Sequence, residues 1–182
     1  MRFIATGALA LAIAGGITLA AGQDKYAPQV PGGLSLSEVK GYEDWQALSA
    51  SLTDNAFALI LANPVTIEAY RSGIPGNGKP FPDGSKMVKL HYKPEGNAEA
   101  PDPSTKVPGA LHDIDIMVRD SKRFADSGNW GYGAFNYDAA SDTFTPATEK
   151  DEPPQANDAK CGFACHTIVQ AKDYVFTAYP KR

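Results

Sequence analysis

The sequence predicts an α+β domain in which β dominates: an antiparallel sheet with a few short helices on one side and a C-terminal helix. Three observations carry that expectation. Ser85 to Lys93 alternates strictly, with Val88, Leu90 and Tyr92 on one face and Met87, Lys89, His91 and Lys93 on the other, the period of a half-buried strand. Several other short apolar runs are separated by turn residues, for which 14 Pro and 17 Gly supply frequent breaks. The segment Asp158 to Tyr179, with Val169, Ala171, Tyr174 and Val175 following two cysteines, reads as helix.

In chain order, Met1-Arg2 gives a positive start, Phe3 to Ala21 is apolar and small, and Ala20-Ala21-Gly22 offers small residues for cleavage. Residues 1–22 therefore read as a secretory signal peptide, with a mature chain beginning near Gly22 or Gln23. Because the apolar stretch approaches spanning length, an uncleaved anchor is the alternative. No other apolar run comes near that length, so the exported remainder is expected to be periplasmic and free of the membrane. Roughly 160 residues remain, enough for one domain. Residues 23–41, broken by Pro28, Pro31, Gly32 and Gly33, read as a flexible leader, and 42–182 as the domain.

Trp45 to Leu52 and Phe57 to Leu61 read as two strands joined through Thr53-Asp54-Asn55. Val65 to Arg71 suits a short helix closed by Ser72-Gly73, and Gly76 to Gly84 a loop before the strictly alternating strand. Pro94 to Pro108 reads as a second loop, and Leu111 to Val118, alternating with Asp113 and Asp115, as another strand. Ser121 to Ala125 reads as a short helix stopped by Ser127-Gly128-Asn129. Trp130 to Tyr137 reads as a strand whose glycines let it lie close to something flat or bulky, followed by a loop from Asp138 to Asn157.

A formal charge of -4 with no basic cluster argues against nucleic acid and anionic membrane surfaces as partners. Ser, His and Asp are scattered without a nucleophile elbow, and no glycine-rich phosphate loop follows a strand. The one reactive constellation is Cys161-Gly162-Phe163-Ala164-Cys165-His166, which holds both cysteines of the chain. Two thiols followed at once by an imidazole suit a c-type haem attachment, although the usual spacing is C-x-x-C-H and this one is a residue longer. A disulfide across one helical turn and a zinc site compete with that reading. Export removes only the free-thiol alternative. His166 is the best metal ligand. His91 and His112 read as ordinary half-exposed histidines, Met87 and Met117 as packing residues, and no sixth protein ligand is assigned.

Asp83-Gly84 with Lys89 beyond it, then Val118-Arg119-Asp120-Ser121-Lys122-Arg123-Phe124 leading to Gly128-Asn129-Trp130, then the cysteine-histidine motif and Asp173-Tyr174-Val175-Phe176-Thr177, together resemble the cytochrome P-460 family. The resemblance runs from about Tyr42 to the end. It implies a periplasmic, mainly β cytochrome with covalent haem c, often a homodimer, whose five-coordinate iron oxidises hydroxylamine to nitrous oxide or nitrite and passes electrons to a soluble acceptor such as another cytochrome. It implies that Cys161 and Cys165 hold the porphyrin and that His166 is the proximal ligand. Lys89, at the family's offset after Asp83-Gly84, would be cross-linked to the macrocycle. Asp115 would be the distal carboxylate that shuttles protons. One departure is Ala58, about where a hydroxylamine-oxidising relative has a pocket arginine. The related cytochrome c-prime-beta supplies the alternative, a nitric-oxide-binding or electron-transfer protein with an aromatic distal wall, here offered by Phe57 and Phe81.

Overall fold

The computed structural model describes residues 24–31, 34–147 and 158–180. The signal-peptide reading falls outside them. The chain forms one six-stranded antiparallel sheet, β1 (Gln46–Leu52), β2 (Phe57–Ala62), β3 (Lys86–Gly96), β4 (Lys106–Arg119), β5 (Trp130–Asp138) and β6 (Thr143–Pro146), each strand beside its neighbours in sequence. Two α-helices accompany it, α1 (Pro64–Arg71) and α2 (Asp158–His166). This is the mainly β, α+β architecture that the alternation predicts.

Because side chains alternate across a strand, the sheet has two distinct faces. Val88 and Leu90 of β3, Ile114, Ile116 and Val118 of β4, and Phe135 of β5 form one buried layer. That layer is closed by Tyr26, Val30, Leu34, Leu36, Val39 and Tyr42, so the reading of 23–41 as a flexible leader is corrected at the first five of these, which are core. Leu34, Leu36 and Val39 are each 0% exposed, worth about 1.5–3 kcal/mol apiece. The prolines shape a fixed path here. Val30 donates its N–H to the Leu34 carbonyl at 3.0 Å and Leu36 donates to Pro28 at 2.9 Å. A 3-10 turn over Leu36–Val39 then starts on the Ser35 hydroxyl, which accepts from the Ser37 N–H.

The opposite face carries Met87, Trp130 and Tyr132, packed with Ile67, Ala69 and Tyr70 of α1 and with Phe81 and Val175. Helix α1 begins where the sequence places it, since the Asn63 carbonyl oxygen accepts from the Thr66 N–H at 3.1 Å and Pro64 occupies the first helical position. Helix α2 lies mainly across β5.

Four segments differ from expectation. Both ends of the Pro94 to Pro108 loop are strand, with Pro94 opposite Pro108 in the β3–β4 ladder and register shifts nearby accommodating residues that cannot donate. Within the expected loop after Asp138, β6 pairs Phe144 with Tyr137, a strand of four residues with little alternation to show. The helix expected at Ser121 to Ala125 is a turn in which the Asp120 carboxylate accepts from the Lys122 and Arg123 N–H groups, followed by a 3-10 turn at Ala125–Ser127. The C-terminal helix stops at His166, becomes a 3-10 turn over Thr167–Lys172, and ends because Asp173 and Tyr174 take left-handed φ values of 52° and 64°.

Candidate functional site

A cavity of about 460 Å³ lies between the second face of the sheet, α2 and the C-terminal segment. Its size falls within the range of small-molecule and cofactor sites, about 300–1,000 Å³, and its wall is mainly apolar with a few convergent polar groups. The strands contribute Ile60, Met87, Lys89, Asp115, Met117 and Tyr132; α2 contributes Cys165 and His166; Val175 and Phe176 close the side.

His166 ends α2 with its ring between two aromatics, 4.9 Å from the centroids of both Tyr132 and Phe176. Its Nδ1 lies 2.6 Å from the Tyr174 carbonyl oxygen, which only accepts, so Nδ1 carries the proton and Nε2 keeps its lone pair. Burial pushes the imidazole below its ordinary pKa, an effect that outweighs the Tyr174 carbonyl and the Asp115 charge and favours the neutral, ligating form. The carbonyl is held in turn. Asp173, beside Tyr174, pairs with Arg119 at 3.1 Å and accepts the Phe81 N–H at 2.8 Å, while the Arg119 guanidinium sits 5.6 Å from the Trp130 ring centroid.

Lys89 of β3 stands directly opposite Asp115 of β4. Burial raises the Asp115 pKa above the usual carboxylate range; His91 opposes the rise, Asp113 adds to it, and Lys89 and His166 also favour the charged form. The 48% of the Asp115 side chain that remains exposed belongs to a residue on the cavity wall. Cys165 is an exposed free thiol on the same wall. Position 161 lies one turn earlier on α2, but the Cys161 side chain is outside the description. Between them Gly162 lets the helix approach β5, since a Cβ there would meet Tyr132 Cγ at 2.4 Å.

A family model described as Cytochrome P460 matches residues 39–177, most of the chain. The chain belongs to the cytochrome P460 family. It is thus a haem cytochrome of that family. No curated protein matches the chain.

The cavity fits the family's cofactor on its donor chemistry. It offers one imidazole with a free Nε2 and an anchored Nδ1, a thiol on the same helix, and apolar walls. The Tyr132 hydroxyl, buried on that wall, has no hydrogen-bond partner among the described residues, and burial drives its pKa well above the ordinary value, so it stays a donor. The motifs shared with the family position these groups. The Asp83 carboxylate accepts from the Ser121 N–H at 3.0 Å and the Ser121 hydroxyl at 2.6 Å, and Gly84, at φ +86°, donates to the Arg119 carbonyl. Together they fix the start of β3 and hence the face on which Lys89 emerges. Lys86 turns to the other face, where its Nζ donates to the Glu38 carbonyl at 2.6 Å.

The remaining candidates separate. Met87 and Met117 line the cavity. Phe57 pairs with Tyr92 at a ring distance of 6.5 Å, and Phe81 is buried against Tyr70 and Trp130; neither lines the cavity, whose aromatic wall is Tyr132 and Phe176. Ala58 is buried on β2 opposite His91 and does not line it either. The strand alternation already placed Tyr132 on the face of Trp130, a signal that sequence reasoning did not carry through to the site. His91 and His112 are less ordinary than they read: both contact Asp113.

Proposed function

We propose that the chain is an exported, periplasmic c-type cytochrome that oxidises hydroxylamine, to nitrous oxide or nitrite, on haem held in this cavity. The observation that carries the reading is convergence. Lys89, Asp115, Cys165 and His166, drawn from β3, β4 and α2, border one apolar space. Cys161 and Cys165 are assigned to the thioethers and His166 Nε2 to the iron. Lys89 is assigned to the bond at the macrocycle edge, on the sheet side. When bound there, haem would supply the redox centre that accepts the substrate's electrons and passes them on.

The protein's own part is to position and to move protons. Oxidation of hydroxylamine releases protons together with electrons, and a carboxylate whose pKa is raised towards the working range is suited to receive them. Asp115 has that character, because burial raises its pKa. Apolar walls limit water at the reacting face. Electrons leave to a soluble acceptor such as another cytochrome at the side where Cys165 and Phe176 are exposed, and a homodimer is the assembly proposed on family grounds. The nitric-oxide-binding alternative drew on Phe57 and Phe81, which lie away from the cavity, so it has less support.

Turnover of hydroxylamine with a dye acceptor, assayed beside nitric oxide binding on the same purified protein, tests the proposal. Dye reduction at a constant ratio to hydroxylamine consumed is the expected result. Tight nitric oxide binding with no hydroxylamine consumption would overturn it in favour of the gas-binding reading.

A further inference from the structure

We infer that His91, Asp113 and Asp115 form a binding site for a divalent transition-metal ion, distinct from the haem ligands, with His112 holding Asp113 in place. The site follows from strand pairing. His91 of β3 stands opposite Asp113 of β4, and the next pair along the same face is Lys89 with Asp115. One donor atom each of His91, Asp113 and Asp115 lies within 4.8 Å of the others, close to the ~4.4 Å that two opposed metal–ligand bonds of about 2.2 Å span. His91 Nδ1 contacts Asp113 Oδ1 and lies 3.9 Å from Asp115 Oδ2, so one imidazole nitrogen already faces both carboxylates.

A second, independent feature holds Asp113 in place. Regular alternation would send His112 to the opposite face from Asp113. The ladder instead steps from the pair His91–Asp113 to the pair Tyr92–Leu111, leaving His112 as the extra residue of a β-bulge. Bulges re-aim side chains, and this one brings the His112 ring over that of His91, centroids 6.1 Å apart and planes 15° from parallel. Its Nδ1 touches the second oxygen of Asp113. Asp113 is thereby gripped on both oxygens by two imidazoles, each through Nδ1.

One imidazole nitrogen with two carboxylates suits zinc, copper, nickel or cobalt, whereas calcium and magnesium prefer all-oxygen shells. Charge points the same way: two carboxylates lie together on one face of the sheet. Access is open, with side-chain exposures of 52% for His112, 48% for Asp115 and 27% for Asp113.

The test uses the full haem-loaded protein, stripped with a chelator and titrated with Zn²⁺ by calorimetry, with zinc and haem iron counted separately by elemental analysis. The expected result is one zinc per chain with a Kd of about 10 µM or tighter, weakened at least about tenfold in His112→Ala and in Asp113→Asn. His112 is half-exposed, so its removal leaves the core intact, and an unchanged melting temperature checks this. Co²⁺ absorption supplies a second readout through its ligand-field bands. The reading is overturned if wild type takes up neither ion at one per chain with a Kd of about 10 µM or tighter, or if Asp113→Asn binds as tightly as wild type. Because the readout is metal content and not hydroxylamine turnover, its failure is distinguishable from failure of the proposed activity.

Discussion

Replacing Arg119 by Met tests whether the Arg119–Asp173 pair holds the turn that orients His166. Arg119 is 6% exposed and Asp173 12%, and Nη1 lies 3.1 Å from each carboxylate oxygen. Methionine keeps much of the apolar volume but leaves the carboxylate buried with the Phe81 N–H and the Trp130 side chain as its remaining partners. Removing one partner of a buried pair costs about 3–5 kcal/mol, and the guanidinium contact with Trp130 adds about 1 kcal/mol. Asp173 already sits above the usual carboxylate range, because burial outweighs the favourable pull of its partners, so in the variant it takes up a proton more readily and trims the loss. A net loss of about 3–5 kcal/mol at roughly 2–4 °C per kcal/mol predicts a melting temperature lower by about 6–20 °C. The sign with pH is fixed. A carboxyl whose folded pKa is raised favours the folded state when protonated, so stability falls as pH rises through the window from the ordinary value to the raised one. The deficit is therefore smaller near pH 4 than at pH 7. Arg119→Met with Asp173→Leu removes both charges and should recover more than half of the loss. Thermal melts followed by circular dichroism read wild type, Arg119→Met, Asp173→Leu and the double variant. A drop of less than about 3 °C for Arg119→Met, or a double variant as unstable as the sum of the singles, would refute the reasoning.

His166→Ala should keep haem on the cysteines while losing the proximal bond, so its resting absorption spectrum and ligand affinity change together; a variant matching wild type in both would place the ligand elsewhere. Asp115→Asn should lower hydroxylamine kcat by about 10²–10⁴. The ionised carboxylate is the acceptor, so the wild-type rate rises with pH through the raised Asp115 pKa and the Asn variant loses that limb; an unchanged rate and profile would remove Asp115 from the reaction. Gly162→Ala gains about 1 kcal/mol of helix propensity but drives a Cβ to 2.4 Å from Tyr132 Cγ, an overpacking cost of about 1–3 kcal/mol. Its melting temperature should fall, and a clear rise would mean that α2 does not lie this close to β5.

Local chemistry was legible in the sequence where it repeats or caps. The alternation of Ser85 to Lys93 gave β3 its correct faces, and the pattern from Val65 to Arg71 marked α1. What could not be read depends on partners distant in sequence. Pro28 and Pro31 look like breaks in a leader, yet the burial of Leu34, Leu36 and Val39 is decided by β-strand side chains that close over them. Lys89 and Asp115 each showed only an alternating strand position; that they face each other is a property of register, which the β3–β4 hairpin sets through bulges around its prolines. The same bulge reversed the expected facing of His112. Arg119 and Asp173 are 54 residues apart, so nothing near either one reveals the pair. Asp173 and Tyr174 end the helix early because the left-handed turn is stabilised by that pair and by the His166 hydrogen bond, both outside the reach of local propensity.

The central claim is that this cavity holds haem bonded to α2 on one side and to β3 on the other. Mass spectrometry of a tryptic digest, after expression with the haem-attachment machinery, tests it most directly. The account predicts a haem-containing species that joins the Lys89 peptide to the peptide carrying Cys161 and Cys165 and survives denaturation. Unmodified Lys89 peptide in full yield, together with a cysteine peptide lighter by two hydrogens than the same peptide with reduced thiols, would contradict it, because the two thiols would then be a disulfide and the cavity would have no covalent cofactor.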